Sequence, residues 1–213
     1  MDFYIIGSGG QAKEVWWLLK DIKKKEHVFK GFIDVKPKQT SIYIGDKKID
    51  VIDEEAFLKK AATTRKKTGL AIAIGTPAII KQVATKFSGM YFPNLIHPTA
   101  RGHFDTMQIG QGNIIAAGCV LTVNVKLENF NTINSNSVVG HDTVIGNYNV
   151  FNPGCIISGC VNIGNGNLFG TNATVLQNLS VGNNSILGAA ALLTKNLENN
   201  ITAIGVPARP MKK

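Results

Sequence analysis

The sequence predicts a small, mostly parallel α/β domain followed by a parallel β-helix. Three observations carry that expectation. Residues 3–100 alternate short apolar runs with helical patterns, every sixth residue from Ile109 onward is bulky and apolar, and a slower period of 18 marks one corner repeatedly.

In the first half, Phe3-Tyr4-Ile5-Ile6 is an apolar run ending at Gly7-Ser8-Gly9-Gly10. A helical pattern follows from Glu14 to Ile22, with apolar positions at 15, 18, 19 and 22. Phe29–Ile33 reads as a second strand ending at Asp34. Asp53 is placed to cap a helix running through Lys60, with Glu54 and Glu55 in the first turn, where the helix dipole favours carboxylates. Leu70–Ile74 reads as a third strand closing at Gly75-Thr76-Pro77, before a helix over roughly 78–87. This alternation predicts a Rossmann-like domain over residues 1–100.

In the second half, residues 101–213, the apolar positions run Ile109, Ile115, Leu121, Leu127, Ile133, Val139, Ile145, Phe151, Ile157, Ile163, Phe169, Val175, Val181, Leu187 and Leu193 without a register break. A short fixed period sustained this long is the mark of a solenoid, and a sandwich would not keep it. Four positions further on, the residue is often small, as at Cys119, Ser137, Thr143, Cys155, Ala173, Ser185 and Ala191. The slower period appears in Ile109-Gly-Gln-Gly-Asn, Ile145-Gly-Asn-Tyr-Asn, Ile163-Gly-Asn-Gly-Asn and Val181-Gly-Asn-Asn-Ser, where Gly and Asn tolerate the left-handed backbone of sharp corners. Three six-residue faces per turn make a triangular prism of about five coils between 109 and 198.

Composition bounds the function. With 44% hydrophobic and 17% charged residues, the chain can bury a core, and no apolar run approaches the ~20 residues of a membrane span. No secretory signal opens the sequence, and three cysteines (Cys119, Cys155, Cys160) without a paired-thiol motif fit a reduced, cytoplasmic setting. The net charge of +9 is concentrated in residues 1–100, with 17 basic against 10 acidic residues, compared with 6 against 4 in the remainder. Such a basic half suits nucleic acid, a membrane surface or a small polyanion. The aromatic–basic interleaving of an RNA platform is missing, and Lys23–Lys25 and Lys66–Lys67 read as solvated surface.

Two segments draw attention as sites. Gly7–Gly10 joins a strand to a helix, where backbone N–H groups favour phosphate, though a tight structural turn fits equally well. His141 follows core residue Val139 by two positions and so lies near a corner, with Asp142 beside it to orient an imidazole. By spacing alone His141 is open to a structural or a catalytic reading. The 18-residue period places Gly159 directly above it, one strand spacing (~4.8 Å) away. His103 precedes the regular coils and reads as a solvated loop residue. No His/Cys/Asp cluster has metal-ligand spacing, and no metal is expected.

The hexapeptide repeats resemble those of the hexapeptide acyltransferases, whose left-handed β-helices form trimers with acetyl-CoA in the groove between neighbours. The opening Tyr4-Ile5-Ile6-Gly7-Ser8-Gly9-Gly10-Gln11-Ala12 and the tail Gly205-Val206-Pro207-Ala208-Arg209 narrow the resemblance to bacterial nucleotide-linked amino-sugar N-acetyltransferases and their sialic acid O-acetyltransferase relatives. It implies His141 as general base with Asp142 as its partner, and Gly159 meeting the thioester carbonyl. Gly188, Ala189, Arg209 and Lys212 are implied for acetyl-CoA, with Lys213 also in the basic tail. Gly7, Ser8, Gly9, Gly10 and Asp34 are implied for the nucleotide sugar, with no cofactor beyond acetyl-CoA as co-substrate. Two positions depart from the family. Val150 stands where relatives often carry a second His, so that contact is either absent or replaced by Asn152 or Asn134, and Gln11 replaces another frequent His. The expected function is N-acetylation of a UDP- or dTDP-linked 4-amino-4,6-dideoxy sugar in surface glycan synthesis by a homotrimer. O-acetylation of a sialic-acid-like sugar and a non-catalytic binding scaffold are the alternatives.

Overall fold

The computed structural model describes residues 1–22, 27–63 and 68–211. Lys23–Lys25, Lys66–Lys67, Lys212 and Lys213 lie outside the described residues.

The N-terminal elements are β1 (Asp2–Ile6), α1 (Gly10–Ile22), β2 (Val28–Asp34), β3 (Ser41–Ile44), β4 (Lys47–Asp53), α2 (Glu54–Thr63), β5 (Thr68–Ile72) and α3 (Pro77–Lys86). Their sheet has the order β3-β4-β2-β1-β5. All pairings are parallel except β3 with β4. Asp53 caps α2 as expected: its Oδ1 accepts from the N–H groups of Glu55 and Ala56, both at 3.1 Å. The hairpin β3–β4 was not anticipated. Its strands are short and charged, so period-2 patterning is faint, and the turn at Gly45 takes φ +56°.

The remainder is a triangular β-helix of two-residue strands in three parallel sheets. In each strand the second residue points inward. Ile115, Leu121, Ile133, Ile145 and Phe151 are fully buried, and Phe151 and Phe169 stack at 4.6 Å. The coils begin at Leu95–Ile96, earlier than the repeat suggests. The first turn hides from a strict six-residue count for two reasons. Its inward position at 102 is Gly, and the 3-10 turn Phe104–Thr106 adds a residue before Ile109. No bulky residue fits at 102, because a Cβ there would lie 2.2 Å from the Leu121 carbonyl oxygen.

The corners sort the glycines and asparagines differently from the simple expectation. Positive φ falls on one residue in six, at 112, 118, 124 and onward to 190. Within Ile163-Gly-Asn-Gly-Asn, only Gly166 is left-handed. The flanking asparagines form ladders. Asn113, Asn131, Asn149 and Asn167 are fully buried. In each step the backbone N–H and side-chain Nδ2 of one donate to Oδ1 of the previous, at 2.9–3.1 Å. A second, more exposed ladder runs through Asn129, Asn147, Asn165, Asn183 and Asn199. The ladders pin neighbouring coils 18 residues apart, except for the last step from Asn183 to Asn199, which spans 16.

The α/β domain sits on one face of the prism. Leu95 and Ile114 pack with Val15, Leu18 and Leu19 of α1, while Phe130 and Val150 pack with Phe57, Ile80 and Phe87. Of the other two faces, one presents Val120, Val138, Ile156 and Leu192 outward, and the other Gln108, Lys126, Val144, Asn162 and Ser180.

Asn149→Ala should destabilise the fold by about 1–3 kcal/mol or more, because the buried donors of Asn167 lose their acceptor. Asn165→Ala, on the exposed ladder, should cost about 0.5–1.5 kcal/mol. Urea denaturation of the two variants checks the contrast.

Candidate active site

His141 and Asp142 occupy the corner between the apolar outward face and the polar one. The side chains are 58% and 50% exposed, and His141 Nδ1 lies 2.8 Å from Asp142 Oδ2. On the other carboxylate oxygen, Asp142 accepts from Asn124 Nδ2 at 3.0 Å. These two hydrogen bonds, Asn124 first and His141 second, hold the Asp142 carboxyl below its ordinary value. An ionised carboxylate can only accept, so the pair places the imidazole proton on Nδ1 and leaves the lone pair on Nε2.

Gly159 lies against the face of the ring on its Nε2 side. A Cβ at 159 would lie 2.5 Å from Nε2 and 2.7 Å from Cε1, so only glycine leaves the ring in place. The register bond joining these coils runs from the Cys160 N–H to the His141 carbonyl at 2.8 Å. Among the described residues the Gly159 N–H has no protein acceptor. A base, its orienting carboxylate and a free backbone donor therefore meet at one exposed corner.

The Gly7–Gly10 turn and Asp34 come together elsewhere, in a cleft of about 440 Å³ at the ends of β1 and β2. This is the crevice that an open parallel sheet offers to a nucleotide. The Asp34 carboxylate accepts from the Ser8 hydroxyl and, at 2.8 Å, from the Val35 N–H. Gly7, at φ +109°, would push a Cβ against the Ala73 carbonyl, whereas a Cβ on Gly9 or Gly10 would meet nothing. Glu54, buried in the cleft wall, is paired with Lys86.

A second cavity joins α1 to the first coils and is lined by Gln11, Glu14, Trp17, His97 and Asn134 among others. Gln11 borders both spaces, and its buried Nε2 has no protein partner. His97 was not singled out in the sequence. Its Nδ1 accepts from the Thr99 N–H at 3.1 Å and its Nε2 donates to Asp21 at 3.1 Å, which ties α1 to the first coil. Both nitrogens are engaged, so His97 reads as a strap rather than a base.

The structure thus separates some of the expected site residues. Asn134, Asn152, Gly188 and Ala189 lie at the far edge of the apolar face from His141, at the preceding corner. That is roughly 20 Å for six residues of extended chain. Val150 is fully buried against the α/β domain and offers no contact to a ligand. Arg209 is exposed in the short strand Arg209–Pro210 that folds back on the last coil. His103 is exposed and precedes the 3-10 turn. Cys160, passed over in the sequence, stands beside His141. The signal was there in the register, since 160 is one coil above 142.

Residues 2–87 match the family model of the PglD N-terminal domain. No curated protein sequence matches the chain. Among solved structures, PerB of Caulobacter crescentus, in complex with CoA and GDP-perosamine, is 25% identical with a TM-score of 0.86, over 100% of this chain and 98% of that one. The acetyltransferase domain of PglB from Neisseria gonorrhoeae, in complex with acetyl coenzyme A, is also 25% identical with a TM-score of 0.86, over 99% and 98%. WeeI of Acinetobacter baumannii shares the fold at 24% identity and a TM-score of 0.85, over 99% and 100%.

Asn124→Ala should let Asp142 titrate at higher pH, nearer the ordinary carboxylate range. In the unaltered protein the His141–Asp142 pair should persist to lower pH, failing only as pH falls through the depressed value. Carboxyl-carbon NMR titration of both proteins reads the difference.

Proposed function

We propose that this chain, which belongs by its N-terminal domain and whole-chain fold with the nucleotide-linked amino-sugar N-acetyltransferases, moves an acetyl group from acetyl-CoA to the amine of a nucleotide-linked 4-amino-4,6-dideoxy sugar. The observation that carries the reading is the corner where Asp142 holds His141 by Nδ1 and leaves Nε2 free, with Gly159 against the ring.

In this reading His141 Nε2 takes the proton of the attacking amine as the nitrogen adds to the thioester carbonyl. The Gly159 N–H donates to the oxyanion that develops on that carbonyl. Collapse expels the CoA sulfur, and the imidazolium returns the proton to it. Asp142 keeps the ring oriented and stabilises its charged form through Nδ1. No step calls for a metal.

The division of labour follows the architecture. Residues 1–100 hold the nucleotide sugar, with the diphosphate at Gly7, Ser8, Gly9 and Gly10 and a ribose or base contact at Asp34. Residues 101–213 hold acetyl-CoA, with Gly188, Ala189, Arg209 and Lys212 as its contacts. The sugar would extend past Gln11 toward Asn134, with Asn152 one coil above. That path ends a full prism face from His141 of the same chain, which supports a homotrimer in which a neighbouring subunit brings its His141 to the acceptor. The outward face between the two corners is apolar, and its Ile156 is 46% exposed, as a subunit contact would require. A cytoplasmic location fits a substrate carried on a nucleotide and a reduced set of thiols. Among the described residues no helix is long and apolar enough to cross a membrane.

CoA release from acetyl-CoA, measured with UDP-, dTDP- and GDP-linked 4-amino sugars and a free sialic acid, tests the reading. Turnover on a nucleotide amino sugar is expected. Turnover on sialic acid alone would replace N- by O-acetylation. His141→Ala should lower turnover by ~10²–10⁴ and leave acetyl-CoA binding intact, and an unchanged rate would remove His141 from the mechanism.

A further inference from the structure

The base is surrounded by more ligand chemistry than an acetyl transfer uses. Three different metal-binding side chains converge at the His141 corner. His141 Nδ1 is 2.8 Å from Asp142 Oδ2, the Cys160 sulfur is 4.0 Å from the same nitrogen, and the three donor atoms lie within 4.8 Å of one another. The convergence is built by the fold. Asp142 and Cys160 occupy the same corner of successive coils with nearly the same left-handed backbone, φ +56° and +57°, so their side chains leave the prism in parallel. The bond from the Cys160 N–H to the His141 carbonyl fixes the spacing between them. Asn124 holds one oxygen of Asp142 and leaves the other facing the cluster.

We propose that His141, Asp142 and Cys160 form an inhibitory binding site for a thiophilic divalent cation, of which Zn²⁺ is the type. With metal–ligand bonds of about 2.0–2.3 Å, the donors of a tetrahedral site sit roughly 3.3–3.8 Å apart. The nitrogen–oxygen pair needs to open by about 0.5 Å and the sulfur to close on its partners by up to about 1 Å, which rotation of these exposed side chains supplies. One carboxylate, one thiolate and one neutral imidazole balance the dication, and water fills the fourth position. The other two cysteines cannot compete. Cys119 and Cys155 are buried in the prism, and burial pushes their thiols up, that of Cys155 to about 12. A sulfur–nitrogen–oxygen set selects Zn²⁺ or Cd²⁺ over Mg²⁺ and Ca²⁺.

Inhibition follows from the tautomer. The metal takes the Nδ1 lone pair, so the Cys160 thiol proton is released to solvent and the imidazole proton moves to Nε2. Nε2 then carries a hydrogen and has no lone pair to accept one from the acceptor amine. This consequence rests on the proposed role of His141, whereas metal binding itself does not. No spacing motif along the chain announces the site, because 141, 142 and 160 meet only through the 18-residue register.

The test uses the full chain stripped of metal, titrated calorimetrically with ZnCl₂ and, in parallel, with MgCl₂. Cys160→Asn is the informative variant. Asparagine already takes the equivalent left-handed corner at 124, 136, 172, 178 and 184, so the fold and the basal turnover should be kept. The expected result is one Zn²⁺ per chain, no Mg²⁺ binding, and at least ~10-fold weaker Zn²⁺ affinity in the variant. Co²⁺ should give a thiolate charge-transfer band that the variant lacks. Acetyl transfer by the unaltered protein should fall with Zn²⁺, recover with EDTA, and be correspondingly less sensitive in Cys160→Asn. Equal Zn²⁺ affinity in the two proteins would overturn the site. Zn²⁺ bound through Cys160 with undiminished turnover would overturn the inhibition. Should no acceptor in the sugar panel be turned over, calorimetry and the cobalt band still decide the site.

Discussion

One left-handed residue in every six is the constraint on which the rest of this structure depends. Fourteen corner positions from 112 to 190 take positive φ without a gap, and they turn a run of two-residue strands into a prism. For an ordinary L-residue that conformation costs roughly 1–2 kcal/mol, and Gly or Asn lowers it. Most corners are filled accordingly, with Gly at 112, 118, 154 and 166 and Asn at 124, 136, 172, 178 and 184. The exceptions are instructive. Phe130 and Tyr148 stack on each other at 5.8 Å beneath the α/β domain, and Asp142 and Cys160 flank His141. Ala190 is the remaining exception and follows the Gly188-Ala189 corner. Four of the five strained corners therefore coincide with a side chain that packs a domain or builds a site.

The same corners set the chemistry. Because each coil repeats after 18 residues, Gly159 is delivered to the face of the His141 ring, and the bond from the Cys160 N–H to the His141 carbonyl fixes that register. The ladder satisfies its own polar groups, each Oδ1 receiving two donors, so a polar column can run through an apolar interior without orphaned atoms. Positioning on a rigid β-helix rather than on a loop suits the proposed role of His141 as a base. Docking the α/β domain on one face leaves an apolar face and a polar face for other contacts. Asn134 and Asn152 lie across that apolar face from His141.

Much of this was legible in the sequence, for physical reasons that can be named. The six-residue period of Ile109 to Leu193 gives the β-helix because burial demands an inward apolar residue on every face. The 18-residue step alone pairs His141 with Gly159. What stayed hidden falls where a local rule was bent. Gly102 removes the bulky residue that would mark the first coil, and the 3-10 turn adds one residue to the count. The asparagines at 113, 131, 149 and 167 looked like corner residues, and their work is hydrogen bonding inside the prism. Val150, noted as the missing family histidine, is an interdomain packing residue here. Cys160 stands over Asp142 by the same 18-residue step, but whether its sulfur turns toward His141 depends on the left-handed corner geometry, which the period does not specify.

The measurement that tests the account most directly asks whether one chain's nucleotide cleft works with another chain's base. Two differently tagged chains are co-expressed, one carrying His141→Ala and the other Gly9→Phe, and the mixed oligomers are purified. A side chain at position 9 has open space around it, so Gly9→Phe should block the cleft without disturbing the fold. Each variant alone should be nearly inactive. If the acceptor held by one subunit meets His141 of its neighbour, the mixed oligomer should recover a substantial fraction of acetyl transfer. Mixed oligomers as inactive as their parents would contradict the shared site and place base and cleft of a working site within a single chain.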